Sequence, residues 1–269
     1  MSKKTKKTGT RPHACPPGES VLLEIRDVHK AFGGRPVLRG IDLDIYCGEV
    51  LVILGTSGCG KSVLLKTLLG LIVPDRGNIR IDGSDICGVS ERGMAPFRKK
   101  IGILFQNGAL FDSLSVEENV AFPLRESGIT DEVEIHNRVS ESLEVVGLKE
   151  HLRASPGNLS GGMRKRVALA RAVVDRPSCV LYDEPTAGLD PIMAGSIDRL
   201  IRTLCDRFSM TSIVVTHNMK SVDQIADRVA YLKEGRVYFT GSKSEFEKSE
   251  DPLIRDFVEG RASETVPLT

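Results

Sequence analysis

Apolar and polar positions change period several times along this chain, and each change predicts an element. Val21 to Phe32, VLLEIRDVHKAF, alternates apolar with polar as a half-buried strand does. Gly40 to Gly55 alternates again, turns at Cys47-Gly48 and ends in a short apolar strand, Val50 to Leu54. KSVLLKTLLGLI then takes helical spacing, closed by the Pro, Asp and Gly turn signals of VPDRGNIRIDG. Arg98 to Gln106 reads as a strand with an apolar centre.

From about Ser113 to Asp175 the period becomes helical, through SVEENVAFPLRE, DEVEIHNRVSESLEVVGL and GMRKRVALARAVV. Short apolar strands return at Ser178 to Glu184, Thr211 to His217 and Arg228 to Gly241, the last turning on Glu234-Gly235. The helix PIMAGSIDRLIRTLCDRF separates the first two. Strands alternating with helices predict an α/β fold around a mainly parallel sheet. The helix-rich block, about 107–175, reads as an insertion between two halves of that core. This divides the chain into a tail at 1–20, a core domain at 21–241 and a C-terminal helical or extended tail at 242–269.

Composition narrows the class only slightly. The 269 residues are 41% hydrophobic and 27% charged, ordinary for a globular protein, and a net charge of +1 gives no whole-chain argument for nucleic acid. The charge is uneven: Lys3, Lys4, Lys6, Lys7 and Arg11 crowd a start with almost no apolar residue. That tail lacks the apolar segment of an export signal and reads as a solvated, disordered arm, with weak attraction to anionic headgroups as the sharper alternative. No apolar run approaches the roughly 20 residues of a membrane span. The nearest, LLKTLLGLIV, is short and interrupted by Lys66. Six scattered cysteines without a CxxC pair read as reduced thiols in a cytosolic compartment.

The candidate chemistry begins at Gly55-Thr56-Ser57-Gly58-Cys59-Gly60-Lys61-Ser62, which fits the phosphate-loop pattern between a strand and a helix. Glycines let backbone N–H groups turn inward around phosphate oxygens, and the helix N-terminus favours negative charge. Lys61 would reach the β- and γ-phosphates, and the Ser62 hydroxyl would meet Mg²⁺. Val63 stands where a second hydroxyl is common. CVLYDE ends an apolar strand with Asp183, placed to hold Mg²⁺, and Glu184, placed to orient or deprotonate a water.

NLSGGMRKRVALARA, Asn158 to Ala172, closely resembles the signature sequence of the ABC-transporter ATPases. Other family motifs are matched in order: Phe32 at the adenine-stacking aromatic, Gln106 at the Q-loop, AGLD (Ala187 to Asp190) at the D-loop, and His217 at the switch histidine. The resemblance runs from about Val21 to Gly241. It implies a P-loop NTPase (RecA-like) core with an N-terminal antiparallel β subdomain and an inserted α-helical subdomain. It implies ATP and Mg²⁺ as cofactors, with Lys61, Gln106, Glu184 and His217 catalytic and Ser62, Gln106 and Asp183 at the metal. Phe32 and Gly55 to Val63 would bind the nucleotide. Leu159, Ser160, Gly161 and Gly162 would close over the nucleotide of a second copy, with Asp190 beside them, so a homodimer is implied. Where the family has Ser or Thr beside the α-phosphate, Val63 removes one hydrogen bond and predicts slightly weaker ATP affinity.

Membrane permease subunits are the implied partners, docking near Asn107 to Pro123, where Ala109, Leu110, Phe111 and Leu114 form an apolar patch; packing within the insertion is the other reading of those residues. Ile103 to Glu126, Asp183 to Ile201 and the tail Asp251 to Ala262 are similar to the Mla/Mce-type ATPases, which energise phospholipid or other lipid movement. That likeness implies a peripheral protein on the cytoplasmic face of the inner membrane and an Mce-domain protein as a further candidate partner. Two alternatives share the catalytic residues: the ATPase of a polar-solute importer, such as one for amino acids, and a soluble ATPase of iron–sulfur assembly.

Overall fold

The computed structural model describes residues 20–261. The expectations for the basic tail, for Cys15, and for the last residues from 262 lie outside the described residues. In chain order, β1 (Val21–Phe32), β2 (Arg35–Tyr46) and β3 (Val50–Gly55) lead into α1 (Lys61–Leu68), β4 (Arg76–Ile81), β5 (Ser84–Asp85), α2 (Glu91–Arg98) and β6 (Ile101–Leu104). The helices α3 (Val116–Glu126), α4 (Glu132–Val145) and α5 (Gly161–Val173) follow with no strand between them. Then come β7 (Cys179–Asp183), α6 (Pro191–Phe208), β8 (Thr211–Val215), α7 (Met219–Ile225), β9 (Arg228–Lys233), β10 (Arg236–Ser242), α8 (Lys243–Glu247) and α9 (Pro252–Val258).

Two sheets organise these elements. One is antiparallel, in the order β2-β1-β4-β5; the other has the order β10-β9-β3-β8-β7-β6 and is parallel except for the β9–β10 hairpin. β3 lies inside the second sheet and is buried along its whole length, as a parallel strand covered on both faces must be. Its two-residue period sorts its side chains between two cores. Val50, Val52 and Leu54 join the core shared with α3, α4, α5 and α6, while Leu51 and Ile53 join the core shared with β1, β2 and α1. The α/β architecture with an antiparallel sheet beside a mainly parallel one agrees with the sequence reading.

The helical block is held by local chemistry at its starts. Ser115 and Glu118 form a capping box on α3, Asp131 caps α4, and Ser160 caps α5. Each cap satisfies first-turn N–H groups that the helix itself leaves unbonded.

Three details of secondary structure depart from the sequence reading. α1 ends at Leu68, not near Pro74, because Gly70 takes the left-handed conformation (φ +65°) that closes helices. α2 has no counterpart in the sequence reading. The segment read only as turn signals contains β4, whose Ile79 and Ile81 are buried against β1. Gly77 is required there, since a Cβ would lie 2.2 Å from the Asp27 carbonyl oxygen. The thiol reading needs one correction: Cys47 is disulfide-bonded, whereas Cys59, Cys87, Cys179 and Cys205 are free.

Candidate functional site

The chemistry collects at the carboxyl ends of β3, β7 and β8, the edge where open α/β sheets bind ligands. Gly55 ends β3 at φ +154°, where a Cβ would lie 2.5 Å from the Leu232 carbonyl oxygen and 2.6 Å from Cys59 Sγ. Only glycine lets the chain leave the strand so close to β9. The loop turns through Thr56, Ser57, Gly58 and Cys59 to Gly60, the left-handed N-cap of α1, which has no side-chain cap bond. The first N–H groups of α1 therefore face the loop interior without a side-chain acceptor, and the helix dipole adds positive potential there.

Lys61 is buried and folds back into the loop, its Nζ donating to the carbonyl oxygens of Gly55 at 2.7 Å and Thr56 at 3.0 Å. Ser62 Oγ donates to Asp183 Oδ1 at 3.0 Å, joining α1 to the end of β7. Burial raises the Asp183 carboxyl above its usual range; the Ser62 bond opposes this, the Glu184 charge adds to it, and Lys66 and Lys61 oppose it. Among the described residues no group of three or more His, Cys, Asp or Glu side chains could hold a metal. A hydroxyl paired with one carboxylate is instead the oxygen donor set that suits Mg²⁺ when phosphate and water complete its shell. Val63 follows on α1, partly buried against the β-side core.

Glu184 has a left-handed backbone (φ +47°), a strain on the order of 1–3 kcal/mol for a residue with a side chain. Its N–H donates to the Val215 carbonyl oxygen at 2.9 Å, and its Oε1 lies 2.9 Å from Nδ1 of His217. The Glu184 carboxyl is mostly buried and the imidazole exposed, so the pair presents its polar edge outward from the ends of β7 and β8.

The remaining predicted residues sit around this centre. Phe32, exposed at the end of β1, carries Lys30 Nζ 5.5 Å from its ring centroid. Gln106 lies just past β6 with its side chain exposed. Ser160 opens α5 and spends its Oγ on the N–H of Met163 at 3.2 Å, leaving the N–H groups of Gly161 and Gly162 outside the helical ladder. Gly161 is open, whereas Gly162 is buried, and a Cβ there would meet Met193 Cε of α6. Leu159 is buried in the core. Asp190 caps α6, accepting from the N–H groups of Ile192 and Met193. Among the described residues no hydrogen bond or ion pair joins Leu159–Gly162, Asp190, Phe32 or Gln106 to the loop 55–62.

The apolar patch after β6 differs from its sequence reading. Leu110 packs into the core, and Phe111 is exposed beside Phe122 of α3, ring centroids 4.9 Å apart. Phe111 and Phe122 line a groove of about 590 Å³ with Ala95, Ile103, Pro123 and Arg171. Asn119 holds this loop: its Oδ1 accepts from Phe111 N at 2.8 Å and its Nδ2 donates to the carbonyl oxygens of Phe111, Leu114 and Ser115.

Sequence reasoning passed over Lys165 and Arg171. Lys165 Nζ donates to the Gln106 carbonyl oxygen, and Arg171 donates to those of Gly108 and Ala109 at 2.7 Å each. A signal existed: Lys165 stands on the buried α5 stripe of Gly162, Leu169, Ala172 and Val173, where a charge is out of place.

Comparison with known proteins adds to this geometry. The family model described as ABC transporter matches residues 38–187. The chain is 42% identical over 241 residues to the probable ribonucleotide transport ATP-binding protein mkl of Mycobacterium leprae, covering 90% of this chain and 70% of that one. It is 38% identical over 247 residues to the intermembrane phospholipid transport system ATP-binding protein MlaF of Escherichia coli (strain K12), covering 92% of each. Among solved structures it resembles the dimeric post-hydrolysis state of the ATP-binding cassette MJ0796 bound to ADP and Pi, with TM-score 0.75 and 31% identity over 82% of this chain and 98% of that one.

Proposed function

The chain belongs to the ABC transporter family, as an ATP-binding subunit that hydrolyses ATP, and from that premise we propose that it powers lipid movement through a membrane permease. In this reading the loop Gly55–Val63 holds the phosphates through backbone N–H groups and Lys61, and Phe32 stacks on the base. Ser62, Asp183 and Gln106 hold Mg²⁺, which when bound neutralises charge on the transferring phosphate. Glu184 accepts the proton of the attacking water, and His217, 2.9 Å from it, fixes the carboxylate and contacts the γ-phosphate.

One observation carries the hydrolytic reading. The Ser62–Asp183 and Glu184–His217 pairs both stand at the carboxyl edge of the parallel sheet, beside the loop that opens α1. The signature residues Leu159–Gly162 and Asp190 have no bond to that loop among the described residues, which supports their serving the nucleotide of a second copy. A head-to-tail homodimer follows, and the dimeric state of the MJ0796 cassette supports it.

The permease docks, in this reading, in the groove of Phe111 and Phe122, within Asn107–Pro123. No helix among the described residues is long and apolar enough to cross a membrane; in this reading the permease holds the chain at the cytoplasmic face of the inner membrane. The lipid assignment is supported by the MlaF match over 92% of both chains; the mkl match, named for ribonucleotide transport, supports a polar solute instead.

The complex, purified from membranes through a tag on this chain and placed in vesicles, separates these readings. Co-extracted phospholipid and phosphate release stimulated by phospholipid are expected. Stimulation by ribonucleotides or amino acids, without lipid in the extract, would overturn the lipid reading. An Mce-domain protein in the same preparation would extend it.

A further inference from the structure

Two cations on α5, Lys165 buried and Arg171 half-buried, have no part in the hydrolytic chemistry. Lys165 is 7% exposed, yet its ammonium forms no ion pair among the described residues; it donates instead to the backbone oxygen of Gln106. Burial lowers its pKa, with the Asp183 charge only partly opposing that. Two turns along, Arg171 spreads its fork over two successive carbonyl oxygens, those of Gly108 and Ala109. Between them Gly108 packs over Ala168, where a Cβ would lie 3.5 Å from the Ala168 methyl.

Burying a charge without a counter-charge is costly, and an apolar side chain would pack α5 as well. What the cations add is directional donors, aimed at three carbonyls of one short loop. That loop needs holding: Gly108 and Ala109 both have left-handed backbones, at φ +74° and +46°. The Gln106 side chain is exposed and forms no hydrogen bond of its own among the described residues, so its place is set through its backbone.

We infer that Lys165 and Arg171 are positioning residues that fasten the Gln106–Ala109 loop to α5, so that Gln106 keeps its station while the same helix presents Ser160–Gly162 to the nucleotide of the second copy. This rests on the role given to Gln106 above. The helix then links three things mechanically: the partner's nucleotide at its N-terminus, the chain's own site through Gln106, and the groove of Phe111 through Ala109.

The test is steady-state phosphate release by the full chain, with ATP affinity read separately in the Glu184→Gln background. Lys165→Met keeps the buried stem and removes the donor; its melting temperature should match or exceed that of the unmodified chain. Its kcat should fall about tenfold or more, as misplacing a group near the reaction does, with the ATP dissociation constant within about threefold. Lys165→Gln restores a neutral donor and should recover most of kcat. The decisive measurement is a double-mutant cycle: Lys165→Met added to Gln106→Ala should cost less than about twofold further. A Lys165→Met enzyme within twofold of the unmodified kcat, or a double variant slowed by the full product of the single effects, would overturn the inference. Arg171→Lys, which keeps the charge and loses the fork, gives an independent reading by the same cycle. Gln106→Ala by itself reports on the role of Gln106, whatever Lys165 does.

Discussion

His217 Nδ1 and Glu184 Oε1 meet at 2.9 Å across 33 residues of chain, because β7 and β8 are neighbours in the parallel sheet and end at the same edge. The contact gives the carboxylate a fixed orientation, while the left-handed backbone at Glu184 aims it away from the strand axis. Removing the proposed proton acceptor without changing its shape should therefore slow turnover sharply and spare binding. Glu184→Gln is expected to lower kcat by about a hundredfold or more, the usual share of a general base, with ATP affinity retained. Light scattering with ATP should show this variant as a dimer; a persistent monomer would count against the shared-site reading.

His217→Ala leaves the Glu184 carboxylate without its orienting partner. A kcat loss of about tenfold to a hundredfold is expected, with little change in ATP affinity. Single-turnover phosphate release would separate this from a binding defect.

Val63 lies on α1 directly after Ser62, partly buried, with its carbonyl oxygen accepting from Thr67 Oγ1 at 2.7 Å. Val63→Thr restores the hydroxyl that family members place there and should tighten ATP binding by on the order of 1 kcal/mol, about fivefold. An unchanged dissociation constant in a nucleotide titration would refute this account of position 63.

Phe111 is exposed, so Phe111→Asp removes its ring contact with Phe122 without opening the core. The variant should bind ATP normally and hydrolyse it alone as the unmodified chain does, yet lose stimulation by the permease. Asn119→Ala should act differently. It strips the bonds holding the backbone of Phe111, Leu114 and Ser115 and leaves buried polar groups unpaired, a loss of about 1–3 kcal/mol visible in chemical denaturation.

Asp198 on α6 is buried; its Oδ2 accepts from Ser221 Oγ of α7 at 2.8 Å, while its Oδ1 has no hydrogen-bond partner among the described residues. Burial pushes its carboxyl up from 3.8 to about 6, against the Ser221 bond and the Arg199 charge. Between these values the folded chain holds a proton that the unfolded chain has lost. The contribution to stability is thus complete below about pH 4 and is lost as pH rises through about 6. Asp198→Asn cannot ionise, so at pH 8 it should be more stable than the unmodified chain by on the order of 2 kcal/mol, with the gain shrinking at pH 5. Urea unfolding at the two pH values checks the sign.

The two periods of apolar residues were enough to show an α/β protein with a helical insertion, because burial imposes period two on strands and 3.6 on helices whatever the fold. Its β4 is not legible there, since Gly77, Asn78 and Gly83 read as turns and the strand exists through its pairing with β1. The loop Gly55–Ser62, the Asp183-Glu184 pair and the run Asn158–Ala172 stand out in the sequence as candidates because each is contiguous and depends on local backbone geometry.

Which of these residues touch was a matter for packing. Ser62 and Asp183 are 121 residues apart, and Gln106 and Lys165 are 59 apart. Phe122 joins Phe111 only because α3 folds over the loop after β6. Local sequence determines conformations of a few residues, where neighbouring backbone atoms supply the constraints. Contacts between distant side chains depend on how whole helices and strands share a core, and that is what the tertiary structure alone decided.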